Sequence, residues 1–343
     1  MWRRPPAPMF IGGAEISQRL LAREIAQKGH RVTYIGGHEH SRTGESERDR
    51  LIARLEQLGL ALRDDGNDGL RYEWEQVSCG AVPQRRIATT LNNVIDTDPP
   101  DVVISSQEGS GDLLSLVPGH ITTVGWLHSI SDVGLDVLKA APNVALATSR
   151  FVAMRCRPPA GTRVVIFYPP FAPPVTPDHV GNARHALLMV NPVPDKGVGL
   201  VHQLASAMPE RPFTLVEGWW PPDRPPSLPN VSYVPSQWSM AHLYRDARLL
   251  LVPSMVEEAF GRVAIEAGLH GVPAIASHLG GLPEAVGAGG LTLDPADMDA
   301  WRAAVTDLDD PDTHTRFAHA ASDNAQKYLR PVVSELTDAG VLR

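Results

Sequence analysis

The sequence predicts an α/β protein made of two consecutive doubly wound units, and three observations carry that expectation. Short apolar runs of strand length alternate with helical stretches along most of the 343 residues, the pattern of parallel sheets covered by helices. The alternation breaks at the proline-rich run YPPFAPPVTPD, residues 168–178, and then restarts. Proline removes a backbone donor and favours extended chain, so this run reads as a linker. Length agrees: the chain exceeds one ordinary hydrophobic core and suits two domains of roughly 150 residues. The expected domains are residues 1–172, joined by a C-terminal crossover helix at about 328–343, and residues 183–327.

In the first half, AEISQRLLAREIAQKG (14–29) reads as a helix. Ile16, Leu20, Leu21 and Ile25 share one face, and Gly29 suits a left-handed C-terminal cap. RVTYIGG (31–37), DVVISSQ (101–107), ITTVGWLHS (121–129) and NVALATS (143–149) read as strands. Residues 43–86 look polar and irregular. After the linker, HALLMVNP, RPFTLVEG, NVSYVP, ARLLLVPS and VPAIAS give five more strands. The start is awkward, because a doubly wound domain opens with a strand feeding its first glycine loop. Only eleven residues precede Gly12, and RRPPAP cannot pair inside a sheet. Either a very short strand lies near Met1–Trp2, or the true start lies upstream; both readings stay open.

Composition excludes several classes of function. Lys and Arg total 31 against 39 Asp and Glu, a net charge of −8. That balance disfavours a sequence-independent grip on nucleic acid and gives no polybasic membrane patch. No apolar run approaches a membrane span, so stable membrane insertion is not expected. Cys79 and Cys156 are the only cysteines, which points to a reducing, cytoplasmic setting rather than a disulfide framework. The basic N-terminus lacks the apolar core of a secretion signal.

The chemistry concentrates in VEEAFGRVAIEAGLHGVPAIAS, residues 256–277. A buried-type strand ends in Pro-Ser, a loop carries Glu257 and Glu258, and a helix is expected from about Phe260 to His270. Strand carboxyl ends and the helix starts beyond them are where doubly wound folds take ligands, phosphates above all. Glu258 and Glu266 are eight residues apart, on the order of 10 Å along a helix axis. That is too far to share one proton, but it suits two hydroxyl-bearing groups flanking a phosphate pair.

The string E-A-F-G-R-V-A-I-E-A, followed by G-V-P-A-I-A-S and G-G-L-P-E, resembles the nucleotide-sugar signature of retaining GT-B glycosyltransferases, specifically glycosyltransferase family 4. The resemblance implies two Rossmann-like domains facing across a cleft. It also implies that Glu258 contacts the transferred sugar near the Phe260 and Gly261 amides, and that Glu266 binds the ribose hydroxyls. LLMVNPVPDKG (187–197) resembles the family's G-R-x-x-x-x-K-G segment, whose Arg and Lys neutralise the donor diphosphate. Lys196 matches; the Arg position carries Asn191, which removes one cation. FIGGAEISQRL resembles the family's glycine loop, in which Gly12 and Gly13 let backbone approach the phosphates. Glu15 reads as first-turn helix charge. His128 ends a strand where the family often places a histidine facing the sugar. Ser149 and Arg150 are weaker candidates, and Val234 lies in a stretch whose backbone commonly reads the base. The expected catalytic set is therefore Glu258, Lys196 and His128.

No metal is expected. The acidic pairs at 96–98, 297–299 and 307–310 fall in a linker or in late helical surface, and no Cys/His cluster has zinc spacing. No cofactor is expected beyond a co-substrate, a nucleoside-diphosphate sugar of UDP or GDP type. The reaction implied is transfer to a small soluble acceptor, such as a cyclitol, thiol or natural-product scaffold, by front-face attack with the leaving phosphate taking the acceptor proton. A GT-B-like sugar-nucleotide epimerase and a degenerate nucleotide-sugar-binding scaffold are the alternatives. Partners are the donor and the small acceptor, with no nucleic acid; a homodimer is left open.

Overall fold

The computed structural model describes residues 5–9, 12–39, 46–66, 68–174, 184–218, 222 and 228–342. The chain divides into two compact units, Met1–Pro170 with Pro331–Arg343, and Phe171–Arg330. The first-strand expectation near Met1–Trp2 and the end of the linker at 175–178 lie outside the described residues.

The first unit opens with α1 (Gly13–Gln27), which buries Leu20, Leu21, Ile25 and Ala26. It leads to β1 (Thr33–Gly37). Residues 43–86 were expected to be irregular, and the structure corrects this. They contain α2 (Glu47–Gln57), with Ser46 accepting from the Asp49 amide as its N-cap, then β2 (Leu62–Asp64), β3 (Leu70–Trp74) and β4 (Val77–Val82). Leu70, Tyr72 and Trp74 are buried while Arg71 and Glu73 are exposed, the period-2 pattern of a one-sided strand. The sheet order is β1-β4-β3-β2, with β1 parallel to β4 and the other pairs antiparallel.

There follow α3 (Ile87–Thr97), β5 (Val102–Ser105), α4 (Ser110–Ser115), β6 (Thr122–Leu127), α5 (Asp132–Leu135), β7 (Val144–Ala147), α6 (Arg150–Arg155) and β8 (Arg163–Ile166). Strands β5-β6-β7-β8 form a second, wholly parallel sheet.

The second unit contains β9 (Ala186–Val190), α7 (Val198–Ala207), β10 (Phe213–Val216), β11 (Val231–Val234), α8 (Ala241–Asp246) and β12 (Ala247–Val252). It continues with α9 (Arg262–Gly268), β13 (Ala274–Ser277), α10 (Leu282–Val286), β14 (Gly290–Leu293), α11 (Met298–Asp307) and α12 (Pro311–Gln326). All six strands are parallel, in the order β11-β10-β9-β12-β13-β14. The sixth, β14, was not expected from the sequence, nor was β8. Runs such as ALLMV and ARLLLV are apolar throughout because helices cover both faces of such a sheet. Trp301 is fully buried in this core, its indole donating to the Asp294 carbonyl at 2.9 Å.

The last helix, α13 (Val332–Asp338), groups with the first unit. Val332, Val333 and Leu336 join a cluster with Leu21, Ile25, Trp126 and Phe167.

Candidate functional site

In the second unit the strand order reverses between β9 and β12. Chains leaving two neighbouring parallel strands in opposite directions open a crevice at their carboxyl ends, the place where open α/β sheets take ligands. The turn after β9 carries Asn191 and Lys196; the loop after β12 carries Ser254 and Glu258. The topology therefore sets side chains 62 residues apart against each other. Lys196 Nζ lies 2.5 Å from Glu258 Oε1, and the Ser254 hydroxyl donates to the same oxygen at 2.6 Å.

Local backbone makes this approach possible. Asn191 holds a left-handed φ of 62°, a short 3₁₀ turn spans Pro194–Lys196, and Gly197 takes φ 80° at the start of α7. A Cβ on Gly197 would collide with the Pro253 carbonyl oxygen. The Met255 amide donates to the Asp195 carbonyl at 2.9 Å, tying the two loops together. Glu258 is held from its other side by a parallel bridge to Gly280, and its carbonyl accepts from the Gly281 amide at 2.7 Å. Side chains at either glycine would meet the backbone of 257–260.

The helix after this loop is shorter than expected: α9 spans Arg262–Gly268 rather than 260–270. Gly261, at φ 106°, precedes it, and Phe260 is buried. Phe260 joins Phe171 and Tyr328 in an aromatic cluster, with ring centroids 5.3–6.4 Å apart. The Arg262 guanidinium sits 4.3 Å over the Phe171 ring, a cation–π arrangement. Glu266, on α9, is gripped twice: Tyr244 donates to Oε2 at 3.0 Å, and Arg262 reaches Oε1 at 3.1–3.2 Å. Burial raises the Tyr244 phenol well above its ordinary pKa, and the Glu266 charge adds to this. Burial also lowers the Arg262 pKa, against the opposing pull of Glu266. Both groups thus stay in the donor form that a carboxylate accepts from.

The structure brings Lys196, Glu258, Asn191, Phe260, Gly261 and Glu266 onto the turn after β9, the loop after β12 and α9. Val234 is half-buried at the carboxyl end of β11, paired with Val216. Asn191 Oδ1 is buried without a hydrogen-bond partner among the described residues, close to Gly218. Gly12, Gly13 and His128 belong to the first unit. Gly12 caps α1 with extended backbone (φ −84°, ψ 153°). His128 follows β6 with its ring 4.4 Å from Trp126.

Two lesser expectations are corrected. Glu15 is only 3% exposed and is no solvated first-turn charge. Ser149 caps α6, accepting from the Val152 amide at 3.0 Å. Sequence reasoning missed Ser254, Tyr244 and Arg262 as partners of the two carboxylates. Ser254 had a signal, its place at a strand end four residues before Glu258; Tyr244 had none.

The acidic pairs do structural work. Asp297 and Asp310 are N-caps, Asp98 pairs with Arg31 and Asp299 with Arg302. Among the described residues no group of three His, Cys, Asp or Glu could hold a metal. No helix among them is long and apolar enough to cross a membrane.

Comparison with known proteins agrees with this geometry. Residues 228–327 match the model of the family "Glycosyl transferases group 1". Across 81% of the chain there is 30% identity to the D-inositol 3-phosphate glycosyltransferase of Thermobispora bispora, of whose length the chain covers 60%. A shorter stretch, 89 residues, is 43% identical to the enzyme of that name from Corynebacterium glutamicum (strain R), covering 21% of it. The chain thus spans well under two thirds of these relatives. Among solved structures, Anabaena HepE in complex with UDP-glucose superposes with a TM-score of 0.71 at 16% identity, covering 98% of this chain and 97% of that one. The fold is that of GT-B glycosyltransferases. The protein is recognised as one of their group 1 kind.

Proposed function

We propose that the protein is a metal-independent retaining glycosyltransferase of family 4 that moves a hexosyl group from a nucleoside-diphosphate sugar to a small soluble acceptor. The observation that carries the reading is the Lys196–Glu258–Ser254 constellation at the reversal point of the six-stranded sheet. Glu266, held by Tyr244 and Arg262 on the neighbouring helix, supplies the second carboxylate that a ribose needs.

In this reading the diphosphate lies over the turn after β9, and Lys196 shifts from Glu258 to its oxygens as the donor binds. Released from the ammonium, Glu258 accepts hydrogen bonds from the sugar hydroxyls and orients the ring, with Ser254 fixing the carboxylate. Lys196 then stabilises the charge that grows on the leaving diphosphate, the place where fixed cations accelerate such reactions most. With Asn191 in place of an arginine, Lys196 carries the cationic part of that work at this turn. The leaving phosphate takes the acceptor proton, so Glu258 positions and does not act as the base. His128 faces the sugar from the first unit, and Gly12 and Gly13 approach the phosphates.

The relatives named for D-inositol 3-phosphate support a cyclitol phosphate as the first acceptor to try, and the complex of HepE with UDP-glucose supports a UDP-type donor. The test is a binding screen of nucleotide sugars by native mass spectrometry, followed by acceptor trials with the winner. Sugar transfer with retained anomeric configuration is expected. Donor turnover without any acceptor would make the protein an epimerase, and binding without turnover across a broad acceptor panel would make it a scaffold.

A further inference from the structure

The first unit holds a cavity of about 420 Å³ walled on both sides by strand edges. β1 lines one wall with Val32–Ile35 and β5 lines the other with Val102–Ser105. Among the described residues β1 pairs only with β4, and β5 only with β6. The two four-stranded sheets thus turn a hydrogen-bonding edge each toward one slot. Helix α1 covers it with Leu21, Ala22 and Ile25, and α3 covers it with Leu91 and Val94. Its ends are polar: Arg31 pairs with Asp98 at one, and Gln18 bonds Tyr34 and Ser106 at the other. Trp126 also lines the slot, fully buried, with its indole nitrogen lacking a hydrogen-bond partner among the described residues. A buried indole N–H ordinarily finds an acceptor.

We propose that this slot is a binding site for one extended β-strand, which runs parallel to β1 and β5 and joins the two sheets into one. Two strand edges that flank a single strand stand about 9–10 Å apart, twice the usual spacing, and such a strand is hydrogen-bonded on both sides. Covered by helices on both faces, it must be apolar throughout rather than alternating. Five residues match the length of β1, about 17 Å.

Topology names the occupant. A helix that crosses over to a parallel strand starts from a strand of the same sheet, and α1 leads to β1. The chain reaches α1 through Pro5–Met9, where Ala7 and Met9 are buried and the Tyr72 hydroxyl donates to the Ala7 carbonyl at 2.5 Å. The strand is therefore a segment of this same polypeptide on the N-terminal side of Pro5. It carries the valine- and isoleucine-rich composition that a doubly covered strand needs, and it ends by feeding the loop that carries Gly12 and Gly13.

The test uses backbone amide exchange on three chains: residues 1–343, the same chain with Lys-Val-Val-Ile-Val-Val added ahead of residue 1, and a control with Lys-Val-Asp-Ile-Asp-Val added there. In the unextended chain the slot-facing amides of Thr33–Ile35 and Val102–Ser105 should exchange at least ten-fold faster than those of β6 and β7. The apolar extension should slow them at least ten-fold, slow exchange of the Trp126 indole proton and raise Tm; the acidic control should do none of this. Equal protection of all four strands in the unextended chain would overturn the proposal. So would an apolar extension without effect, or the free apolar hexapeptide giving the same protection when added separately.

Discussion

Lys196 and Glu258 form an ion pair at a sheet's reversal point, and the consequences of that pairing fall on single residues. Removing the ammonium leaves growing phosphate charge uncompensated, so Lys196→Ala is expected to cut turnover at least about ten-fold. Steady-state kinetics check this, and near-normal turnover would remove Lys196 from the phosphate site. Tyr244 acts through another group, because its hydroxyl fixes Glu266 Oε2 and touches no substrate in the proposed reading. Hydrogen bonds to charged groups contribute about 1.5–3 kcal/mol, of which positioning loses a part. Tyr244→Phe should therefore raise the donor KM roughly three- to ten-fold while leaving kcat nearly unchanged. A fall in kcat with unchanged KM would place Tyr244 elsewhere in the reaction. The two carboxylates were legible in the sequence because their spacing and the Phe-Gly between them are local. Tyr244 was not, since its tie to Glu266 exists only once α8 and α9 are packed.

At the scale of elements, the site depends on two loops that nearly touch. Gly197 allows this twice over, by its left-handed φ and by the absence of a Cβ against the Pro253 carbonyl. Gly197→Ala should destabilise the second unit by about 1–3 kcal/mol, read by urea denaturation. An unchanged midpoint would show that the turn after β9 can relax away from β12. Elements were legible where their periodicity was undisturbed. The strands of the second unit are short, wholly apolar and punctuated by Pro or Gly, and five of the six were foreseen. The meander of β2, β3 and β4 was hidden among charges, although Leu70, Tyr72 and Trp74 alternate with Arg71 and Glu73 in the plainest period-2 run of that region. α2 was hidden for a similar reason: Leu51 and Leu55 give it only a narrow apolar stripe within ERDRLIARLEQ. β14, as GLTL, is too short to announce itself and is defined by its parallel pairing to β13.

Two units with separate cores make up the whole molecule, and each has its own sensitivity to conditions. His314 links α12 to β12 in the second unit, its Nε2 3.0 Å from the Arg248 carbonyl, to which the neutral tautomer donates. Burial lowers its pKa below the ordinary 6.5, the carbonyl bond opposes this, and the Arg248 and Arg184 charges add to it. A histidine depressed in the folded state binds its proton more readily when unfolded. Its contribution to stability is thus complete above about pH 6.5 and is lost as pH falls toward the lower folded-state value. The second unit's Tm should fall between pH 7.5 and 5.5, and His314→Gln should lessen that fall. An identical fall in the variant would assign the pH sensitivity to other groups. The two-unit plan itself was legible from the restart of alternation after the proline run, because each unit repeats the same strand-helix grammar. The division of the first unit's strands into two sheets was not, since it depends on which edges meet in space.

The central claim is that a nucleoside diphosphate binds where β9 and β12 diverge, with Glu266 gripping its ribose. Calorimetric titration of UDP and GDP into the wild-type protein and Glu266→Ala tests it most directly. One of the two should bind the wild type at a single site, and the variant should bind it at least about ten-fold more weakly. Equal affinity in both proteins, or no binding of either nucleotide to the wild type, would contradict the account.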